Sequence, residues 1–328
     1  MPDTHPQPSA TARQLVRGAF DTHVHINPDL IPRRISDLEL AGRFAALEMS
    51  GFVLKSHYTC TAERAATTTA SAQNGVQVFG SLVLNHGVGG MNPVAVEIAA
   101  RSGARIIWMP TVDAANEARE LEGLQNTKLP LWAVFQAELR QQGLGLEPVH
   151  VVREGVVLPE TIQVLQIIAK HNLVLATGHL GRDEIFAVVD AAFNVGVKNI
   201  VITHPDYPTQ NLSHQDQTAL AERGALLERC VAPCYSGKIA FEKMFAAIRA
   251  TGAAHSVLST DLGQPKNLPV EDGLPLLADL LLEAGFTGSD IELMAVQNTR
   301  RVAVGNTQPV AVGDTQPIAV SNTQKGNP

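Results

Sequence analysis

Residues 19–26 read Ala19-Phe20-Asp21-Thr22-His23-Val24-His25-Ile26, an apolar, β-branched run that carries two histidines one residue apart. On a strand, side chains i and i+2 point the same way, so both imidazoles project from one face. Two neutral imidazoles at that spacing can hold one divalent ion such as zinc. A partly exposed strand with polar outward positions gives the same pattern, so the pair alone decides nothing. The test is whether other strands end in further ligands.

Seven more runs of strand character follow: Phe52–His57, Val76–Leu84, Arg105–Pro110, Leu173–His179, Asn199–His204, Leu227–Ala232 and Ser256–Asp261. Several are almost continuously apolar, such as Ile200-Val201-Ile202-Thr203, as expected of parallel strands covered on both faces. Between them lie stretches of helical period over Ile35–Met49, Pro159–His171, Asp183–Val195 and Glu242–Thr251. Pro159 and Glu160 suit a first helical turn, and Gly196 and Gly252 suit stops. Eight strands alternating with helices predict an α/β fold, a (β/α)8 TIM-type barrel. An open doubly wound sheet is the competitor, but no Gly-rich phosphate fingerprint follows the first strand.

Three segments fall outside this alternation. Residues 1–18 form an N-terminal arm before the barrel at 19–305. The stretch from Val112 to Leu158, between strands four and five, is expected to be an insertion near the barrel mouth, with a hairpin turning at Glu154-Gly155. The segment 306–328 belongs to an eight-residue repeat, Val304-Gly-Asn-Thr-Gln-Pro-Val-Ala followed by Val312-Gly-Asp-Thr-Gln-Pro-Ile-Ala. It has no aromatics and too few bulky groups for a core, so a disordered low-complexity tail is expected.

Composition narrows the partners. Hydrophobic residues make up 45% of the 328 and charged residues 17%, the profile of a globular protein with a large core. The formal net charge of −7, without a basic stripe, argues against nucleic acid. No apolar run reaches membrane-spanning length. Met1 to Thr11 lacks the apolar stretch of a secretory signal. Three cysteines are too few for a disulfide framework, which points to a reducing cytoplasm. Cys230 and Cys234 lack the second pair that would complete a metal clip, and a structural role is expected for both. The predicted partner is a small-molecule substrate; a homo-oligomer is compatible with the sequence but not specified by it.

Barrel active sites are built at the C-terminal ends of the strands. Strand one ends in His23 and His25, strand two in Lys55-Ser56-His57, and strand three near Asn85-His86. Strand five ends in Thr177-Gly178-His179, strand six in Thr203-His204-Pro205 and strand eight in Thr260-Asp261-Leu262-Gly263. Metal-competent residues recur at one end of different strands. This constellation resembles the metal-dependent amidohydrolase superfamily over about Ala19 to Gly305. Asn298-Thr-Arg-Arg-Val-Ala303 resembles the segment closing many such domains. The Lys-Ser-His, Trp-Met-Pro-Thr-Val-Asp and Thr-Gly-His-Leu stretches are similar to an uncharacterised branch of it.

The resemblance implies roles by position. His23, His25 and Asp261 would hold a buried metal, zinc by expectation, and His179 and His204 a second one. Binuclear members bridge their ions with a carboxylated lysine or a glutamate from strand four. Strand four here, Arg105-Ile-Ile-Trp-Met-Pro110, offers neither, and the comparable lysine is Lys55 on strand two. A carbamate on Lys55 would bridge two ions; an ordinary ammonium there would repel one and leave a single-metal site. Asp261 would serve as the catalytic base and acid, although Asp-Leu-Gly is also good turn chemistry. His57 and His86 are candidates for substrate contact or structural hydrogen bonding. Tyr235 and Lys238 are candidates for a substrate carboxylate, or simply solvent-facing loop positions. Asp113 and Asp206 rank lower, and His5, His150, His171, His214 and His255 receive no role. The implied function is a metal-dependent hydrolase acting on an amide, cyclic amide or lactone. Phosphoester hydrolysis and single-metal decarboxylation are the enzymatic alternatives, and a barrel retained for binding is the non-enzymatic one.

Overall fold

The computed structural model describes residues 5–117, 129–144 and 147–305; the repeats at 306–328 lie outside them. Among the described residues ten strands occur in chain order: β1 Phe20–Val24, β2 Gly51–Leu54, β3 Gln77–Val83, β4 Ala104–Trp108, β5 Val152–Arg153, β6 Val156–Val157, β7 Val174–Ala176, β8 Asn199–Ile202, β9 Leu226–Cys230 and β10 Ser256–Ser259. Eight of them form one sheet in the order β1-β2-β3-β4-β7-β8-β9-β10, every ladder parallel. The predicted (β/α)8 barrel is the observed architecture, with β5 and β6 as a separate antiparallel hairpin in the insertion. That hairpin turns where the sequence places it, with Glu154 at φ 52° and Gly155 at φ 78°, the left-handed pair a two-residue turn requires.

The barrel closes between β1 and β10 mainly at its C-terminal end. Asp261 N donates to His23 O at 2.8 Å and His25 N donates to Leu262 O at 2.8 Å. Lower down, a side chain spans the seam: Asp21 accepts from Thr260 N at 3.0 Å and from Thr260 Oγ1 at 2.5 Å. Gly263 permits this closure, because a Cβ there would lie 1.4 Å from His25 O. The seam thus brings Asp261 beside His23 and His25, residues more than two hundred positions away in the chain.

Apolar residues fill three layers. Inside the barrel lie Phe20, Val53, Val83, Ile106, Val174 and Val257 among others. Val302 and Ala303, from the helix Asn298–Ala303, join that inner cluster and close the end opposite the histidines. Two outer clusters fill the space between the strands and the surrounding helices. Each large apolar side chain so buried contributes about 1.5–3 kcal/mol.

All four expected helices form, at Asp37–Ala46, Pro159–Lys170, Arg182–Asn194 and Phe241–Thr251, the first shortened at both ends and the others within one residue of expectation. Ser36 and Glu39 cap the first of these reciprocally, which explains its later start. The N-terminal arm carries a helix of its own, Ala10–Leu15, whose Ala12 joins the outer core. One strand end shifts. Strand seven was expected to reach Ala232, but β9 stops at Cys230 and the chain turns into a short helix, Val231–Tyr235. Ala232 N leaves the ladder to donate to Thr260 O at 2.9 Å.

Candidate metal centre

Strand period decides which side chains reach the barrel mouth. His23 and His25 face inward from the end of β1, both buried. Their Nε2 atoms lie 3.3 Å apart, and each is 3.2 Å from Asp261 Oδ1. A tetrahedral ion with bonds of about 2.0–2.1 Å requires donor separations of about 3.3–3.4 Å. Three donor atoms are therefore already spaced like three corners of such a tetrahedron. Asp261 is held at φ 53° and His204 at φ 23°, sparsely populated backbone for non-glycine residues that often marks functional sites.

The electrostatics hold His25, His57, His204 and Asp261 in their donor forms. Burial, and then Arg33, hold the His25 imidazole well below its ordinary pKa, so it is neutral near pH 7. Burial and the His179 ring hold His204 down at about 3, and burial with His25 depresses His57. His23 shifts upward, because Asp261 and Glu228 together outweigh burial and the Lys55 charge. Burial opposes ionisation of Asp261, yet its contacts with His23 and His25 hold it ionised, well below the usual carboxylate range.

Most of the histidines have their second ring nitrogen engaged, which fixes orientation. His23 Nδ1 is 3.1 Å from Glu228 Oε1, His204 Nδ1 is 3.1 Å from Gln210 Oε1, and His57 Nδ1 is 2.8 Å from Thr111 Oγ1. His179 Nδ1 lies 3.2 Å from Glu117 Oε2, within ion-pair range. With Nδ1–H donating to an oxygen, Nε2 keeps its lone pair. His25 differs, since its Nδ1 faces Arg33 Nη2 at 3.4 Å.

Glu228 and Glu117 escaped the sequence reading. Glu228 had a signal: Glu228-Arg229 is a charged pair inside an apolar strand. Alternation sends Glu228 inward to His23 and Arg229 outward, where it donates to Asp206 at 2.8 Å and Gln217 at 2.7 Å. Asp206 is thereby structural. Glu117 had none, since its partner is sixty-two residues away and carries no local pattern.

The structure gathers most of the predicted residues and separates two. His25, Lys55, His57, His179, His204, Lys238 and Asp261 line one cavity of about 600 Å³, with His23 just beneath it. Lys55 Nζ is 3.0 Å from His23 Nε2 and 4.2 Å from the centre of the Trp108 ring. Trp108, the last residue of β4, thus stands against Lys55. The His179 and His204 rings lie side by side, tilted by 57°, with centres 5.0 Å apart. Neither joins a compact group of three donors, whereas His23, His25 and Asp261 do, among the described residues. His86 stands apart, its Nε2 on the carbonyl of Glu147 at 2.7 Å in a separate, smaller cavity. Tyr235 is 42% exposed and points away from the mouth, because the short helix after β9 rotates it outward. Cys230 lies 4.0 Å from His23 Nδ1 and forms no clip with Cys234.

A family model described as a family of unknown function, DUF6282, matches residues 18–228. The chain belongs to this family. No curated protein matches it in sequence. The barrel fold is nevertheless shared with solved structures. An amidohydrolase from Pseudomonas aeruginosa is similar at 12% identity and a TM-score of 0.58, over 91% of this chain and 100% of the other. The probable dipeptidase PvdM from Pseudomonas aeruginosa is similar at 11% identity and a TM-score of 0.59, over 90% of this chain and 97% of the other. An organophosphate hydrolase engineered from a weak promiscuous lactonase gives 13% identity and a TM-score of 0.53, over 89% and 96%. At such identities the likeness is one of fold. Within that fold, this DUF6282 member carries two buried histidines and a partly buried aspartate suited to a metal ion. No helix among the described residues is long and apolar enough to cross a membrane.

Proposed function

We propose that the protein is a metal-dependent hydrolase that cleaves an amide, cyclic amide or lactone bond of a small molecule. The observation that carries this reading is the convergence of His23 Nε2, His25 Nε2 and Asp261 Oδ1 within 3.2–3.3 Å at the floor of an open cavity. These three would hold a divalent ion, zinc by their donor chemistry. When bound there, the ion supplies Lewis acidity and brings the pKa of water from 15.7 to about 7. Asp261 accepts the proton of the attacking water and returns it to the leaving group, base first and acid second. Glu228 fixes the His23 ring, and His179 and His204 face the cavity beside the reacting centre.

The number of ions turns on Lys55. As an amine it leaves one ion on His23, His25 and Asp261, the arrangement a decarboxylase would share. As a carbamate, its two oxygens would supply the bridge to a second ion on His179 and His204. Metal analysis with an anomalous-scattering map of the barrel mouth counts the ions and shows any added density on Lys55.

Purified, zinc-loaded protein should hydrolyse members of a lactone and amide panel in preference to aryl phosphoesters. Asp261→Asn should keep the fold and lose at least a hundredfold in kcat. A variant that folds, binds metal and turns over at near-normal rate would remove Asp261 from its role. A preference for phosphoesters would replace the bond class.

A further inference from the structure

The cavity is cationic in a chain that is not. Acidic residues outnumber basic ones 32 to 25 overall, yet the lining holds Arg33, Lys55, Lys238 and Lys266 against Asp261 alone. Asp261 is committed to His23 and His25, and Arg33 is neutralised by Asp29 at 2.7 Å. Lys238 is different. Its Nζ donates to the neutral Tyr207 hydroxyl at 2.5 Å and sits 5.0 Å from the centre of that ring. No carboxylate among the described residues pairs with it.

Tyr207 locates this cation relative to the chemistry. It follows β8 by five residues; its backbone N donates to His204 O at 2.9 Å, and its ring centre is 5.0 Å from that of His204. The Lys238 ammonium and Tyr207 hydroxyl therefore border the metal-side histidines. Two donors on one side of a largely apolar cavity, next to Leu131, Trp132 and Pro233, form a receptor for an anion on an apolar body.

The geometry points to Lys238 and Tyr207 as a carboxylate-binding subsite, so that the substrate is a small apolar acid whose carboxylate pairs with Lys238 while its scissile bond lies over His25 and Asp261. The pairing with Tyr207, in place of the Tyr235 suggested by sequence, is what the fold adds. Turnover of such an acid rests on the hydrolase reading; the binding subsite does not.

The test separates the two. Calorimetric titration of the EDTA-treated protein with 3-phenylpropionate and with the neutral 3-phenylpropionamide measures the subsite without metal or turnover. The acid should bind at least tenfold more tightly than the amide. Lys238→Met should weaken binding of the acid at least tenfold, Lys238→Arg should restore most of it, and Tyr207→Phe should cost about threefold. Lys238 is exposed at the cavity rim, and matching thermal melts confirm folding; Tyr207→Phe serves as the independent variant. Equal affinity for acid and amide, or acid binding unchanged by Lys238→Met, overturns the subsite. In the metal-loaded protein, the kcat/KM ratio between a lactone or amide bearing a carboxylate and its methyl ester should fall at least tenfold in Lys238→Met. Lys238-dependent binding with no hydrolysis of any panel member upholds the subsite and overturns the hydrolase reading.

Discussion

Replacing Glu228 by glutamine tests whether the metal centre is built from beneath. Glu228 Oε1 faces His23 Nδ1 at 3.1 Å and accepts from Ser259 Oγ at 2.9 Å, while Oε2 accepts from His204 N at 3.3 Å. Burial opposes its charge, but His23 outweighs that cost and holds the carboxyl down at about 2, so it is ionised at neutral pH. Glutamine keeps the shape and one accepting oxygen, and puts an NH2 where either His23 or His204 N presents a donor. A hydrogen bond to a charged acceptor contributes about 1.5–3 kcal/mol and a neutral one about 0.5–1.5. The net loss, about 1–2 kcal/mol, falls on the orientation and basicity of His23. At about 1.4 kcal/mol per tenfold, that is roughly 5–30-fold in metal affinity, at the lower end of the 10–100-fold typical of such outer partners. Competition for zinc against a chromophoric chelator at pH 7.5 reads the change directly, with circular dichroism to confirm the fold. Glu228→Gln binding zinc within twofold of the parent would refute the carboxylate–histidine argument and leave Glu228 a packing residue.

Three further outcomes follow from the same geometry. Burial pushes Asp21 up to about 7 against the hydrogen bonds it accepts. A carboxyl raised above its unfolded value of 3.8 favours the fold at low pH and loses that advantage as pH rises through 7. Thermal melts of metal-free Asp21→Asn should therefore show a flatter pH dependence between pH 5 and 8 than the parent, and parallel curves would contradict the assignment. Gly178→Ala places a Cβ 2.3 Å from Met109 O at φ 59°, so urea melts should show a loss of about 1–3 kcal/mol with weaker activity through the displaced His179; a neutral result would mean the loop shifts freely. His86→Ala, in its separate cavity on the Glu147 carbonyl, should leave kcat/KM within about twofold for any substrate the parent hydrolyses, and a larger drop would place His86 in the site.

What was legible in the sequence is what strand geometry encodes locally. The His23/His25 pair sits on one face because side chains alternate, and the same rule carries Lys55 and His57 together into the cavity. The strand ends at His179, His204 and Asp261 were readable because apolar runs stop there and polar ligands begin. Tyr235 shows where that logic ends. By sequence it follows a strand end as the others do, but five residues of helix rotate it out, and nothing in Val231-Ala-Pro-Cys-Tyr235 separates that helix from an extended loop. Tyr207, from the loop after β8, takes its place beside Lys238, and that choice depends on how two loops pack. Glu228 marks the intermediate case. A glutamate in an apolar strand announces that it needs a buried partner, yet the partner, His23, lies two strands away on β1, past the closing seam. A strand pattern can state that a charge must be paired; only the order in which eight strands close can state with what. The pairing across the β1–β10 seam, which sets Asp261 beside His23 and His25, is of that second kind, and it decides the chemistry.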